Sequence, residues 1–256
     1  MHQRQPWPKR LWLVRHGQSQ GNVARDAAHE AGHSLIDLDL RDVDVPLSDL
    51  GHAQAAATGR WFAALPEGDK PEVILASPYV RARQTAEAIC EAGGLAGKAK
   101  PTILDERLRE REFGVFDGLT TKGIRELYPD EAAHRAKMGK FYHRAPGGES
   151  WADVILRLRS ALNTINLHYA DKRVLVVAHQ VVILCLRYIL EELTEAQILA
   201  IDRQAEFLNC GIAAYDFEPN AQSLCVPALA MWNHGAPMEA EGTPKTAERD
   251  TMTGSR

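Results

Sequence analysis

The chain has 256 residues, 45% of them hydrophobic and 25% charged, with a formal net charge of −4. It is long enough for one large core or two small ones, and its composition is ordinary for a soluble globular protein. The small negative balance gives no ground for nucleic acid or an anionic membrane as partner, so any anion site must be a local gathering of Arg and His. Cys90, Cys185, Cys210 and Cys225 lie far apart without paired metal spacing and read as reduced core or near-core thiols. Arg4, Lys9 and Arg10 precede no secretory h-region, and no apolar run reaches membrane-spanning length, so a cytoplasmic location is expected.

Residues 1–8, with Pro6 and Pro8, read as a loose lead-in. Leu11-Trp12-Leu13-Val14 is an unbroken apolar run, the mark of a strand covered on both faces. It stops at Arg15-His16-Gly17. In open α/β sheets ligands bind beyond the carboxyl ends of strands, which is where this triplet falls. Arg15 offers a planar fork of donors suited to a phosphoryl group, His16 a nitrogen that is neutral near pH 7, and Gly17 a sharp turn with room for a ligand. Taken alone, such a triplet is more often a loop with a surface histidine.

A helix is expected from Ser19 to Ala31, and residues 32–47 read as a surface excursion. Ser48 caps a helix from Asp49 to Leu65, closed by Pro66 and Gly68. Glu72–Ala76 is a second buried strand, followed by Ser77-Pro78 and a helix from Tyr79 to Glu91 that ends at Gly93-Gly94. Thr102–Leu104 is a short strand before a charged loop. Residues 120–141 are helical but irregular, and Glu149–Tyr169 is a long amphipathic helix. Val174–Ala178 is the third buried strand, ending at His179, with a helix from Val181 to Leu190 after it. Leu208–Phe217 and Ser223–Val226 read as late strands. Strands alternating with long helices imply a three-layer α/β/α domain with a mainly parallel sheet, spanning residues 9–232. Residues 233–256 are polar with little apolar content and are expected to be a mobile tail.

Three buried strands therefore end in Arg15-His16, Ser77-Pro78 and His179, along one edge of a parallel sheet. Arg81 and Arg83 sit near the start of the helix after Ser77, where one of them can join the helix dipole in holding an anion. Leu11 to Asn22, Ser77 to Ala86, Glu110-Arg111-Glu112-Phe113-Gly114 and Val176-Val177-Ala178-His179 together resemble the histidine phosphatase superfamily, also called the phosphoglycerate mutase-like family. Pro46-Leu47-Ser48 with Gly51 and Gln54, and Pro146 to Ser150, resemble its connecting segments, so the likeness runs from residue 9 to about 217.

The resemblance implies a phosphoglycerate mutase-like fold and a phosphatase that works through a phosphohistidine. His16 would be the nucleophile. Arg15, Arg81 and His179 would hold the phosphoryl oxygens, Asn22 would add a hydrogen bond, and Glu110 would be the general acid. Gly17 and Gln180 complete the expected substrate contacts, Gln180 standing where the family often has Gly. Neither metal nor cofactor is expected. The expected partner is a small phosphorylated substrate, with no nucleic acid and no membrane, and a homodimer is an admissible assembly.

Other readings stand beside these. Arg83 reads as a solvated helix residue, and Glu106 and Glu112 share the charged loop with Glu110 and compete with it as acids. His52, His134, His143 and His168 read as surface or helix-end residues. Arg135, Lys137, Lys140, His143 and Arg144 form either a second-phosphate contact or, more simply, a solvated basic face. His29-Glu30-Ala31-Gly32-His33 matches the zinc-protease pattern, but Gly32 weakens the helix that pattern requires. The family also holds mutases, and a fold can keep a pocket while losing its chemistry, leaving a phospho-ligand binding module. The compact stretch from Gly114 to Pro146 favours a phosphatase over a phosphoglycerate mutase.

Overall fold

The computed structural model describes residues 7–95, 102–204, 206–219 and 225–247. Six strands form one sheet in the order β3-β2-β4-β1-β5-β6: β1 Arg10–Arg15, β2 Val73–Ala76, β3 Ile103–Leu104, β4 Arg173–Ala178, β5 Ile212–Pro219 and β6 Cys225–His234. The first four are mutually parallel, while β5 runs antiparallel to β1 and β6 antiparallel to β5. The expected three-layer α/β architecture is therefore the one observed.

The apolar strand runs follow from this layering. Alternate residues of a strand face opposite sides. Leu11 and Leu13 of β1 join one core with Leu75, Val174 and Val176, under helices α6 (Trp151–His168) and α7 (Gln180–Leu190). Trp12 and Val14 join the other with Ile74, Leu175 and Val177, against α2 (Asp49–Ala64) and α3 (Val80–Ala92). Covered on both faces, β1 and β4 are apolar from Leu11 to Val14 and from Val174 to Ala178, and their arginines stand only at the strand ends.

Some helix starts coincide with a side chain that satisfies their first N–H groups. Ser19 caps α1 (Gln20–Glu30) and Ser150 caps α6, each in a reciprocal capping box, with Asn22 and Asp153 as the answering residues. Loss of such a cap costs about 1 kcal/mol. The irregular helical stretch resolves into α4 (Thr121–Leu127) and α5 (Pro129–Met138), broken at Tyr128 because the residue before a proline is pushed out of the helical region. The helix α8 (Glu195–Gln204) is an addition to the expected elements. Ile198 is its fully buried residue, so its apolar stripe is weak in the sequence.

Both expected chain ends need correction. Trp7 stacks on Phe217 with ring centroids 4.9 Å apart, so the lead-in joins the fold at residue 7, and residues 1–6 lie outside the described residues. The expected mobile tail is wrong for residues 233–247. β6 runs on to His234, a ten-residue strand where four residues were expected, and α9 (Ala236–Ala240) sets Met238 fully buried beside Ala55 and Cys210. Gln54 Nε2 then donates to the Pro244 carbonyl and to Thr246 Oγ1, both at 2.9 Å. One buried methionine and a few hydrogen bonds hold a segment whose composition is that of a loop. Residues 248–256 of the expected tail, and Ser223 and Leu224 of the expected last strand, lie outside the described residues. Among the described residues no helix is long and apolar enough to cross a membrane.

Candidate active site

The sheet register carries two histidines and a serine to one edge. Arg15 pairs with Ala178 and Ala76 with Val177, so the next residues, His16, His179 and Ser77, leave adjacent strands side by side. Their backbones remain in the ladder: His16 N donates to the Ala178 carbonyl at 2.9 Å, and Ser77 N to that of Val177 at 3.0 Å.

His16 is buried, and its Nδ1–H donates to the Gly17 carbonyl at 2.7 Å. That bond selects the tautomer with the lone pair on Nε2. Burial, with Arg81 and Arg15 nearby, holds the imidazole pKa well below its usual 6.5, so the ring is neutral at pH 7. Gly17 does not line the pocket and has no positive φ. Its use is close approach, since a Cβ there would sit 2.5 Å from the Gly51 carbonyl oxygen. Its own N–H donates to Thr85 Oγ1 at 3.0 Å, so Gly17 orients His16 from behind.

The pocket in front of His16 encloses a cavity of about 60 Å³, several times the ~10–15 Å³ that a single water requires. Arg15, Asn22, Arg81, Glu110 and Gln180 line it with His16. The Arg15 guanidinium is buried and donates to the Phe207 carbonyl. Asn22 Oδ1 accepts from Ser19 N at 2.9 Å and from Asn209 Nδ2 at 3.4 Å, which makes the amide nitrogen the end it can offer as a donor. Gln180 opens α7 beside the pocket, with its Oε1 buried and without a hydrogen-bond partner.

His179 is brought to the same edge but does not line the cavity. It is fully buried, its ring 5.2 Å edge-on from that of His16, with Nε2 2.8 Å from Ser77 Oγ and Nδ1 3.5 Å from Glu110 Oε2. That last contact is not an ion pair. Burial raises the Glu110 pKa above the usual carboxylate value, while burial and Arg81 hold His179 well below its usual value, so the imidazole beside the carboxyl is neutral.

Glu110 is selected from its neighbours by packing. Glu106 is exposed, and Glu112 is exposed and takes the Tyr79 hydroxyl at 3.1 Å. Arg157 of α6 donates to the Glu110 carbonyl at 3.2 Å and to Glu149 Oε1 at 2.9 Å, while Glu149 also takes Arg109 at 2.6 Å. At Gly114 (φ +57°) a Cβ would sit 2.2 Å from the Pro146 carbonyl, so only glycine lets the acid loop lie this close to the Pro146-Gly147-Gly148 segment.

Arg81 is buried near the start of α3, whereas Arg83 is exposed, in line with its reading as a solvated residue. Arg81 is engaged by Asp42, donating to its carbonyl at 2.6 Å and to Oδ2 at 3.1 Å. Asp42 and Arg25 both line the pocket, and sequence reasoning assigned neither. Arg25 carries a signal in hindsight: it is i+3 from Asn22, on the same face of α1. Asp42 carries none, because it lies in the irregular 32–47 excursion. Asn209 is also new, donating to the His16 carbonyl at 3.1 Å while Thr246 Oγ1 donates to its Oδ1 at 2.9 Å.

The remaining sequence candidates fall elsewhere. None of Arg135, Lys137, Lys140, His143 and Arg144 lines the pocket: Lys140 pairs with Asp202 at 2.6 Å, Arg144 with Asp153, and His143 is buried rather than superficial. α1 ends at Glu30 and Gly32 takes φ +66°, so His29 and His33 do not share a helix face, and both are exposed. Cys185 and Cys210 are buried thiols and Cys90 is half-buried, and burial raises the pKa of each.

A neutral imidazole, two buried guanidinium groups and a carboxyl of raised pKa around one small cavity form a set fitted to phosphoryl chemistry, which needs positioning and fixed positive charge. A sequence profile of the histidine phosphatase superfamily (branch 1) matches residues 11–226. The 2,3-bisphosphoglycerate-dependent phosphoglycerate mutase of Methylobacterium radiotolerans is 33% identical over 190 residues, 73% of this chain and 82% of the relative. Fructose-2,6-bisphosphatase TIGAR B of Danio rerio is 35% identical over 155 residues, 60% of this chain and 52% of the relative. Among solved structures, mycobacterial glucosyl-3-phosphoglycerate phosphatase with inorganic phosphate is similar with a TM-score of 0.66 at 26% identity, over 90% of this chain and 99% of that one.

Proposed function

The chain belongs to the histidine phosphatase superfamily, and on that premise we propose that it is a phosphatase that hydrolyses a phosphate monoester through phosphorylated His16. The observation that carries this reading is the His16 tautomer: Nδ1–H is committed to the Gly17 carbonyl, which leaves Nε2 as a neutral nucleophile at the pocket. In the first step the Nε2–P bond forms and the P–O bond to the leaving alcohol breaks, with the Glu110 proton passing to the leaving oxygen. In the second, the Glu110 carboxylate takes a proton from water as the water oxygen attacks phosphorus and the N–P bond breaks. Arg15 and Arg81 hold the phosphoryl oxygens, with Asn22 as a further donor. Burial and Arg81 hold the His179 pKa low, and a phosphoryl dianion beside it favours the protonated, donating form.

Support for hydrolysis over mutase chemistry comes from the mouth of the pocket. The only elements between Gly114 and Pro146 are a 3₁₀ turn and two short helices, of which α5 has no buried residue, so no long insertion shields a phosphohistidine from water. Asp42 lines the pocket and pairs with Arg81 at 2.9 Å. An acid at this position disfavours a second phosphate on the substrate and suits a monoester whose alcohol is not itself anionic. The 33% identity to a phosphoglycerate mutase keeps mutase activity as the second reading.

The domain read as residues 9–232 is extended in this proposal to 7–247, working in the cytoplasm on a small phosphorylated substrate. The test is phosphate release across sugar phosphates, phosphoglycerates, nucleotides and phosphopeptides, with phosphoglycerate interconversion assayed alongside. A labelled substrate quenched without acid should leave an acid-labile, alkali-stable phosphoryl group on His16. Label on any other residue overturns the mechanism, and interconversion faster than release overturns the phosphatase reading.

A further inference from the structure

We propose that Glu131, His134 and His143 form a divalent transition-metal site of the zinc type on the helical cap, separate from the catalytic pocket. Glu131 and His134 are i and i+3 on α5, so their side chains share one face. Gly139 (φ +78°) then turns the chain back, and His143 N–H donates to the Gly139 carbonyl at 3.0 Å, bringing the His143 ring beneath that face. The imidazole is buried, stacked on Phe116 at 6.0 Å with an interplanar angle of 10°, and edge-on to His134 at 5.6 Å.

One potential ligand atom from each of the three side chains lies within 4.8 Å of the other two. His143 Nε2 and Glu131 Oε2 are 3.4 Å apart. That is beyond the ~2.7–3.2 Å of a well-made N–H···O bond. It fits a tetrahedron edge of roughly 3.3–3.6 Å, which follows from zinc bonds of ~2.0–2.2 Å to nitrogen and oxygen. His134 is exposed, so its ring can close the remaining distance by a rotamer change on the solvent side. Two imidazoles and one carboxylate make a three-ligand zinc set with a fourth position left to water. Arg135, whose charge acts on His143, weakens the site without blocking it, because Glu131 supplies the opposing charge.

The position suggests bracing rather than chemistry, since none of the three residues lines the catalytic cavity. Phe116, under the His143 ring, clusters with Ile124 and Ala145, and Phe113 packs against that cluster while also lining the pocket. A metal here ties α5 and residues 139–145 to the loop that carries Glu110.

The test uses the untagged full chain, stripped with chelator and equilibrated with buffered micromolar zinc, with bound metal measured by elemental analysis and Tm by thermal melting. The expected result is one zinc per chain with a rise in Tm. Both should be lost in Glu131→Gln and in His134→Ala, which change residues outside the core, and retained in His29→Ala and His33→Ala. Phosphate release by the stripped protein should continue. No retained zinc in the unaltered chain, zinc unaffected by Glu131→Gln and His134→Ala, or zinc lost with His29 or His33 overturns the proposal. The readout is metal content, so it fails independently of the phosphatase reading.

Discussion

The pocket has two halves, held in different ways. His16, Ser77 and His179 sit on the ends of adjacent parallel strands, fixed by ladder hydrogen bonds and a core on both faces of the sheet. Glu110 and Asp42 come from irregular segments, and side-chain contacts position them: Arg157 and the close approach at Gly114 for one, Arg81 for the other. Arg81 belongs to both halves, anchored in α3 and engaged by the loop. The sheet half is preorganised, and electrostatic preorganisation is usually the largest catalytic term. The loop half has freedom to adapt to the leaving group. The sheet half should therefore govern phosphoryl chemistry on every substrate, and the loop half should govern which substrates react.

The most severe break is His16→Ala. Removing the nucleophile from a coupled catalytic unit costs on the order of 10⁶-fold in turnover, and the loss should be the same for alkyl and aryl phosphates in a steady-state assay. Undiminished turnover would remove His16 from the mechanism.

Glu110→Gln should divide the substrates. A general acid contributes about 10²–10⁴-fold, so slow alkyl phosphates should lose that much. An activated aryl phosphate, whose leaving group needs no proton, should lose far less in the phosphorylation step. The same acid sets the pH profile. Glu110 has its pKa raised and must be protonated to act, so kcat/KM should fall as pH rises through that raised value, after division by the substrate's own titration. His16 has its pKa lowered and must be neutral, so the acid limb should lie below the usual histidine range. An unchanged alkaline limb in Glu110→Gln would assign that limb to another group.

Arg81→Ala and Arg83→Ala compare buried and solvated cations on a single helix. The first should cost on the order of 10²–10³-fold in turnover, the scale of one preorganised oxyanion donor. The second should cost less than about twofold, as an exposed charge contributes little. Equal losses in the two folded variants would reverse the assignment.

Asp42→Asn is the mildest change. It removes the charge competing with phosphate for Arg81, so KM for singly phosphorylated substrates should fall by several-fold with kcat little changed. The gain should be larger for a bisphosphate, and an unchanged selectivity between the two would show that Asp42 does not read the substrate's charge.

Local chemistry alone determined much of this protein. Apolar runs too continuous for a surface strand identified β1, β2 and β4, and the capping residue Ser48 marked the start of α2, because a strand's burial and a helix's first turn are encoded within a few residues. The strand-end positions of Arg15 and His179 were legible for the same reason, each being the first polar residue after such a run, with His16 directly after Arg15. Tertiary structure decided what depends on distant partners. Gly17 serves Gly51 and the His16 tautomer rather than the substrate. Asp42 reaches Arg81 from a stretch with no periodic pattern. Glu110 is distinguished from Glu106 and Glu112 by Arg157 and by burial. The segment 233–247, a loop by composition, is held by Met238 in a distant core and by Gln54. His143 gains Glu131 and His134 as neighbours only because Gly139 turns the chain back. A side chain's environment is set by whatever packs against it, and nothing in the spacing of one segment records which other segment that will be.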